Sequence, residues 1–538
     1  MIHPDEWQPA DGLVLEPNAL RAATEKNECL ALTAGPGAGK TEMLAQRADF
    51  LLRTGVCRYP RRILAISFKV DASTNLKERV CRRCGRDLAS RFDSHTFHAF
   101  AKRIIDRFRP VLTGLDALDP DYTIGTKRVD RIQITFEDMV PLAVQILETS
   151  VVARNAIRMS YTDVFLDEFQ DCTNEQYKLI KAAFLGTAIR LVAVGDTKQK
   201  IMSWAGALEG VFGNFAHDFQ AIPLNIYSNY RSKPRLRRLQ NEMIKVMDPD
   251  AAIPDNQLEG DGGILTVIDY PDCQAEANDI ADQISNFINS EETPLSEIAV
   301  LMRQQLSQYG AALMEALRVR GIPYRNEHDL QDLTDQPLTK VVIDFLTVIH
   351  NNHAPEAWHR LMGVVVEFFD LDHPNSQEKD WSRYIATVSQ ALRSKDDYST
   401  NMKMSLDLAK TFLKDFGMDR VRALSPEYEN RARFKEIWKE ICQRLTELSG
   451  VASSINEALS TLNDEEVVRI LTVHKSKGLE FHTVIFMGIE AETFWASNPS
   501  GFEENRSVFF VGVSRAKERL ILTHTAFRKK PQGARYWL

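Results

Sequence analysis

The chain has 538 residues, 44% apolar and 26% charged, with a formal net charge of −8. That is the make-up of a soluble globular protein of about three or four domains. No apolar run approaches the roughly 20 residues of a membrane span, and the start Met1-Ile2-His3-Pro4-Asp5-Glu6 lacks the basic-then-apolar order of a secretory signal. With seven scattered cysteines, a reduced, cytoplasmic protein without a membrane partner is expected. The negative balance argues against a uniformly basic surface but not against a basic groove. Residues 53–91 carry eleven Arg or Lys and three acids, 231–245 carry six and one, and 506–530 carry seven and one. One such cluster is ordinarily a solvated face; three, each beside a motif described below, point to a nucleic-acid track.

Leu30-Ala31-Leu32-Thr33 is predicted to be a buried strand. The helical spacing of Met43, Leu44, Ala45, Ala48, Leu51 and Leu52 predicts a helix after it. Between them lies Ala34-Gly35-Pro36-Gly37-Ala38-Gly39-Lys40-Thr41, with Glu42 next. Strand, glycine-rich turn and helix form the setting of a P-loop. Its backbone N–H groups curl around phosphate oxygens, and the helix N-terminus adds positive potential. Lys40 can reach the β and γ phosphates and the Thr41 hydroxyl can hold Mg²⁺. Ala34, Gly35, Gly37, Ala38, Gly39, Lys40, Thr41 and Glu42 are therefore the candidate contacts for a nucleoside triphosphate.

Further strands are expected at Ile63–Phe68, Val164–Leu166 and Leu191–Val194, with helical patterns between them. Alternating strands and helices predict a parallel sheet with helices on both faces. The pattern returns after residue 260, at Ile264–Ile268, Ile298–Leu301, Val467–Val473, Val484–Phe486 and Leu520–Leu522, predicting a second α/β core. Residues 102–160 and about 351–460 show amphipathic helical stretches without comparable strands, so each core is expected to carry a helical insertion.

Asp163-Val164-Phe165-Leu166-Asp167-Glu168-Phe169-Gln170-Asp171 places acids just beyond an apolar strand. Ligand sites of open parallel sheets lie at the carboxyl ends of strands. Asp167 is suited to hold Mg²⁺, and Glu168 to orient or deprotonate an attacking water.

With these residues in view, the chain resembles the superfamily 1A helicases, the family of UvrD, Rep and PcrA. Asp167 to Asp171 is similar to their motif II. The other motifs follow in family order: Ser94-His95-Thr96-Phe97-His98-Ala99-Phe100-Ala101 after motif Ia, Val194 to Gln199 opening motif III, and Asn229-Tyr230-Arg231-Ser232 as motif IV. Ile298 to Arg303 with Gly321-Ile322-Pro323-Tyr324 follows, then Thr472 to Phe481 as motif V and Phe510 to Ala516 as motif VI. The resemblance spans about residues 15–525. It implies two RecA-like P-loop domains with parallel sheets. The first would comprise 1–101 and 151–223 with a reduced insertion at 102–150. The second would comprise 224–350 and 461–538 with a helical insertion at 351–460.

The resemblance also implies roles. Lys40, Asp167, Glu168, Gln170, Gln199, Arg231 and Arg515 would carry catalysis, with Arg231 and Arg515 as arginine fingers and the two glutamines as γ-phosphate sensors. Tyr230 would stack on adenine, Glu480 would approach the ribose, and Gly478 would lie beside them. Lys69, Thr96, Phe97, His98, Trp204 and His474 would line a single strand of DNA or a single-strand/duplex junction. The implied activity is ATP-dependent, Mg²⁺-assisted 3′→5′ translocation or unwinding.

The chain departs from the family pattern in four places. Ala19, beside Asn18, stands where an adenine-reading glutamine is expected. Lys69-Val70-Asp71 replaces Thr-Asn-Lys in motif Ia, where Lys69 can substitute as a point charge. Met202 and Ala205 replace an aromatic and an arginine around Trp204. Both insertions are short. Reduced UvrD-like chains also serve in antiphage systems, as the helicase partner of Gabija nuclease complexes, which makes a subunit acting with a nuclease the alternative expectation; a DNA-independent NTPase switch is a third. Cys81-Arg82-Arg83-Cys84 with His95 and His98 has a zinc-like spacing, but both histidines fall in a helicase motif and one cysteine pair is a weak signal.

Overall fold

The computed structural model describes residues 2–528 apart from 69, 125–126, 200–207, 209, 327–332, 334–335, 352, 368–373, 395–398, 425–427, 429–430, 451–453, 464–466, 492 and 495–498. The chain forms two compact units. One comprises Met1–Tyr122, Val129–Ile322 and Ile470–Leu538; the other comprises Thr123–Arg128 and Pro323–Arg469.

The strands in chain order are β1 (Leu30–Ala34), β2 (Arg62–Ser67), β3 (Phe92–Thr96), β4 (Leu118–Ile124), β5 (Arg131–Ile134), β6 (Tyr161–Leu166), β7 (Arg190–Gly195), β8 (Ile222–Ile226), β9 (Ile264–Asp272), β10 (Ile298–Met302), β11 (Tyr324–Asn326), β12 (Val468–Thr472), β13 (Phe481–Phe486) and β14 (Ala516–Phe527). The first sheet runs β3-β2-β6-β7-β1-β8, and all five of its pairings are parallel. β1, β2, β6 and β7 read as near-continuous apolar runs because helices cover both faces. Leu30, Leu32, Ile63, Ala65, Phe165, Val192 and Val194 are fully buried in one core with Met43, Leu44 and Leu51 of the helix Lys40–Arg53. Each large apolar side chain there contributes roughly 1.5–3 kcal/mol.

A polar contact fixes that helix on the sheet. Asp163, buried at the start of β6, accepts two hydrogen bonds from Arg190 at 2.8 and 2.6 Å. The guanidinium of Arg47, fully buried on the helix, lies 3.6 Å from the same carboxylate and donates to the carbonyls of Ala22 and Glu25 at 2.7 and 2.8 Å. A buried charge persists only when paired in this way.

The second sheet of the same unit contains the order β12-β10-β13-β14-β9, with β10, β13, β14 and β9 parallel in turn. Leu301, Val484, Phe486, Leu520 and Leu522 form its core with Val508 and Val511 of the helix Pro499–Val513. The other unit is built on helices, chiefly Pro337–His350, Met402–Phe416 and Arg431–Ser449. Its core includes Val342, Phe345, Phe412, Phe416, Ile437 and Ile441.

The mixed α/β architecture with parallel sheets agrees with the sequence. Two readings need correction. Residues 102–160 are not purely helical, because β4 and β5 form a two-stranded sheet. Their sequences, LDPDYTI and RIQI, are half-exposed and carry a proline and two aspartates, so no apolar run marks them. The first sheet also has two strands beyond the four expected, β3 and β8, whose sequences FDSHT and IPLNI are broken by polar residues or proline.

Candidate nucleotide site and strand track

Because the first sheet is parallel, the carboxyl ends of β1, β6 and β7 share one edge, and the candidate residues gather there. The turn after β1 places Gly37 and Gly39 at φ of 70° and 76°, a left-handed region where a side chain is strained. Gly39 caps the helix Lys40–Arg53. A Cβ on Gly37 would lie 2.5 Å from both the Arg231 Cβ and the Asn229 Oδ1, so glycine is required twice over. Lys40 Nζ lies 3.4 Å from the carbonyl of Ala34.

Beyond β6, Glu168 adopts a left-handed conformation with φ of 50°, and its N–H donates to Asp167 Oδ1 at 2.9 Å. Burial and the neighbouring Glu168 charge push the Asp167 carboxyl up, against the pull of Lys40. Burial acts the same way on Glu168, yet Lys40, Lys477 and Arg515 outweigh it and hold that carboxyl well below the usual range. The site thus keeps one strongly anionic carboxylate among cations, which suits a group that attracts or orients water.

From Glu168 a hydrogen-bonded relay crosses to the second sheet. Gln170 donates from Nε2 to Glu168 Oε2 and accepts at Oε1 from the Asp196 N–H, at 3.0 Å. Gln199 donates from Nε2 to Asp196 Oδ2 at 2.7 Å. Its Oε1 accepts from Arg515 at 2.8 Å. Arg515 is itself buried and also donates to the carbonyls of Val511 and Leu479. Burial and the nearby Arg231 push its guanidinium pKa down, while Glu168, Asp196 and Glu480 oppose this.

Lys477 makes a second crossing. Its Nζ donates to Asp171 Oδ2 at 2.5 Å and to the Gln199 carbonyl at 3.1 Å, and both side chains of the ion pair are buried. Lys477, Asp171 and Asp196 were absent from the sequence-derived set, although each lies inside a motif. Their signal was a charged residue at a position with no assigned role.

Arg231 donates to Glu480 Oε2 at 2.7 Å and to the Ser514 carbonyl at 3.0 Å. These contacts and its neighbours hold the half-exposed Glu480 carboxyl low despite partial burial. Asn229 caps the turn, accepting from the N–H groups of Arg231 and Ser232 at 2.9 and 3.0 Å. Tyr230 presents an open ring, 65% exposed, while its N–H donates to the Gly37 carbonyl at 2.9 Å. A cavity of about 450 Å³ opens beside it, lined by Glu16, Asn18, Asn229, Tyr230, Arg237 and Gln240 among others. Ala19 is buried and does not line it; Asn18 does, with Nδ2 donating to the Asn225 carbonyl at 2.7 Å. Gly478 sits exposed with φ of 94°.

Three candidates have side chains with partners or packing of their own. The Glu42 carboxylate is taken up by Arg79, Arg83 and Gln46. Phe97 packs in the core at 3% exposure and offers no face for stacking. Thr96 caps the helix Phe97–Phe108 by accepting from the Ala99 N–H at 3.2 Å.

His98 is half-buried and stacks on Phe136 with ring centroids 3.7 Å apart; burial lowers its pKa to about 4. His474 is also half-buried, with its pKa lowered by burial. The Cys84 thiol donates to the Val80 carbonyl of its own helix. Lys69 and Trp204, with Met202 and Ala205, lie outside the described residues.

The donor set fits a magnesium nucleotide. Thr41 offers a hydroxyl and Asp167 a buried carboxylate, hard oxygens beside a lysine, and Mg²⁺ typically takes only one or two such protein ligands alongside substrate phosphates.

A P-loop nucleoside-triphosphatase architecture is therefore in place, with a second parallel sheet delivering arginine and lysine to the first. The profile of the UvrD-like helicase C-terminal domain matches residues 224–372 and 372–526, and that of an AAA domain matches residues 17–205. The chain belongs to the UvrD-like helicase family. It is 24% identical to the ATP-dependent DNA helicase PcrA of Bacillus subtilis, over 96% of this chain and 83% of that protein. It is 22% identical to PcrA of Leuconostoc citreum, over 93% and 80%, and 25% identical to DNA helicase II of Haemophilus influenzae, over 76% and 61%.

Proposed function

We propose that this chain is an ATP-dependent motor on single-stranded DNA, moving 3′→5′ and coupling hydrolysis to translocation or unwinding. The observation that carries the reading is the unbroken relay from Glu168 through Gln170, Asp196 and Gln199 to Arg515. It joins the hydrolytic carboxylate of one sheet to a cation of the other, so hydrolysis and relative movement of the two cores share one set of bonds. The organisation proposed with it is two RecA-like cores with insertions at 102–150 and 351–460; the bounds expected from the sequence shift, because β8 keeps residues up to Ile226 in the first sheet and the helix Pro337–His350 packs in the helical unit rather than in the second core.

In this reading the turn from Gly35 to Thr41 cradles the phosphates of ATP, and Lys40 neutralises charge on the transferred group. Glu168 orients the attacking water and accepts its proton. Arg231 and Arg515 stabilise the negative charge that develops on the γ-phosphate. Thr41 and Asp167 would hold Mg²⁺, which when bound offsets charge on the β and γ phosphates. Tyr230 offers its ring to the base. The Ala19 substitution leaves base reading to Asn18 and the cavity wall, so GTP is expected to compete better than in a glutamine-bearing relative. The likeness to ATP-dependent DNA helicases supports a DNA substrate.

The test is hydrolysis of ATP and of GTP by the purified chain, with and without single-stranded DNA, beside a Lys40→Ala control. Stimulation by DNA, lost in the control, supports the motor. Turnover indifferent to DNA in the wild type sinks it in favour of a partner-dependent subunit or switch, and turnover retained by Lys40→Ala removes the P-loop assignment.

A further inference from the structure

The arginine-rich segment 53–91 was expected beside a motif on the strand track. The fold places several of its arginines elsewhere. Arg58, Tyr59 and Arg61 precede β2, and Arg86 and Arg91 precede β3. These strands are adjacent and parallel, with Ile63 opposite Phe92. Both loops therefore lie at the amino-terminal edge of the first sheet. The P-loop edge is the other end of β2, six residues or about 20 Å away along the strand. Arg82 lies in the last turn of the helix Val70–Cys84, just ahead of the loop that leads into β3. That helix end is tied there by Arg53, which donates to the Arg83 carbonyl at 2.8 Å.

The loop before β2 is held in one shape. Arg91 donates to the Cys57 carbonyl at 2.7 Å and to the Arg61 carbonyl at 3.0 and 2.6 Å. The Arg61 N–H closes the turn onto the Arg58 carbonyl at 2.9 Å. Held this way, Tyr59 projects at 84% exposure, with the Arg91 guanidinium 5.9 Å from its ring centroid. Arg58, Arg61, Arg82 and Arg86 are exposed and form no ion pair among the described residues. Other arginines of the segment are paired: Arg62 with Asp93, Arg79 and Arg83 with Glu42, and Arg53 with Asp49. Asp87 is the one carboxylate within the loop 85–91.

We propose that this amino-terminal edge is a second single-stranded nucleic-acid site, separate from the motor track. Its guanidiniums take backbone phosphates and Tyr59 stacks on a base. An exposed ring among unpaired arginines favours a strand over an acidic protein, because carboxylates have no use for a stacking face while every base does. The rigid loop means little order is lost on binding. The site stands on its own residues and does not depend on the motor reading.

The test titrates the full chain, without nucleotide, with fluorescein-labelled hexathymidylate at two salt concentrations. The expected result is one oligonucleotide fewer per R58E/R61E chain than per wild-type chain (one against two if the motor track also binds), with ATP turnover unchanged in the variant. The second binding event should weaken with salt at a log–log slope of about −2, for roughly three phosphates neutralised. Tyr59→Ala, whose ring supports no packing, should weaken that event about fivefold or more. Photocrosslinking with a 5-iodouracil oligonucleotide should attach to Tyr59. One oligonucleotide per wild-type chain with no adduct in residues 57–62 overturns the proposal. So does an affinity for polyglutamate that exceeds that for the oligonucleotide and falls in R58E/R61E.

Discussion

The two parallel sheets reach the candidate site from opposite ends of their strands. The first contributes from carboxyl ends: the glycine turn after β1, Asp167 and Glu168 after β6, and Asp196 after β7. The second contributes Glu480 just before β13 and Arg515 just before β14, with Lys477 in the loop ahead of β13. The rule that ligands sit at carboxyl ends thus locates half of this site and would miss the other half. In the reading proposed above, the first sheet supplies the phosphate cradle with Lys40 and the anionic Glu168, and the second supplies Arg515 and Lys477, so that hydrolysis would depend on where the second sheet stands.

The largest test of that division is Arg515→Ala. Turnover of ATP is expected to fall about 10³-fold or more, with binding of a fluorescent nucleotide retained; a loss below tenfold would mean the second sheet does not take part in chemistry. Glu168→Gln comes next, with turnover down about 10²-fold or more and nucleotide still bound. Wild-type turnover there would move the hydrolytic role off the first sheet.

Lys477→Met probes the crossing without touching either reactive group. It strands the buried Asp171 carboxylate, a loss of about 3 kcal/mol in denaturant unfolding. The Asp171→Asn, Lys477→Met double variant should recover most of it. Equal stability of wild type and Lys477→Met would show that the pair carries no energy between the sheets.

The smallest effect concerns His98. Burial lowers its pKa from 6.5 to about 4, so between those values the unfolded chain binds a proton that the folded chain refuses. The resulting stability is whole above pH 6.5 and is lost as pH falls toward 4. His98→Phe should flatten that part of the stability curve. An imidazole NMR titration with a midpoint near 6.5 would contradict the packing on Phe136.

Legibility in the sequence followed chemistry and apolar contrast. β1, β2, β6 and β7 were visible because burial on both faces makes continuous apolar runs; β4 and β5, half-exposed, had none. The P-loop was visible because Gly37 and Gly39 answer a backbone demand at fixed spacing. The destinations of side chains were not. Glu42 stands in the right turn but pairs with Arg79 and Arg83, which lie far along the chain. Phe97 sits in a strand-contact motif but turns into the core. Arg58 and Arg61 are near motif Ia in sequence and at the opposite edge of the sheet in space, because a strand separates them from it. The Lys477–Asp171 pair joins residues of different cores, and no local pattern announces such a partner.

Gly37 and the turn from Asn229 to Arg231 touch so closely that not even a methyl group fits between them. Those stretches, distant in the chain, therefore fix each other's shape. A first core transplanted from a relative would have to bring the matching turn with it, and the seam for exchanging parts of this protein runs after Ser232 rather than at the end of β8.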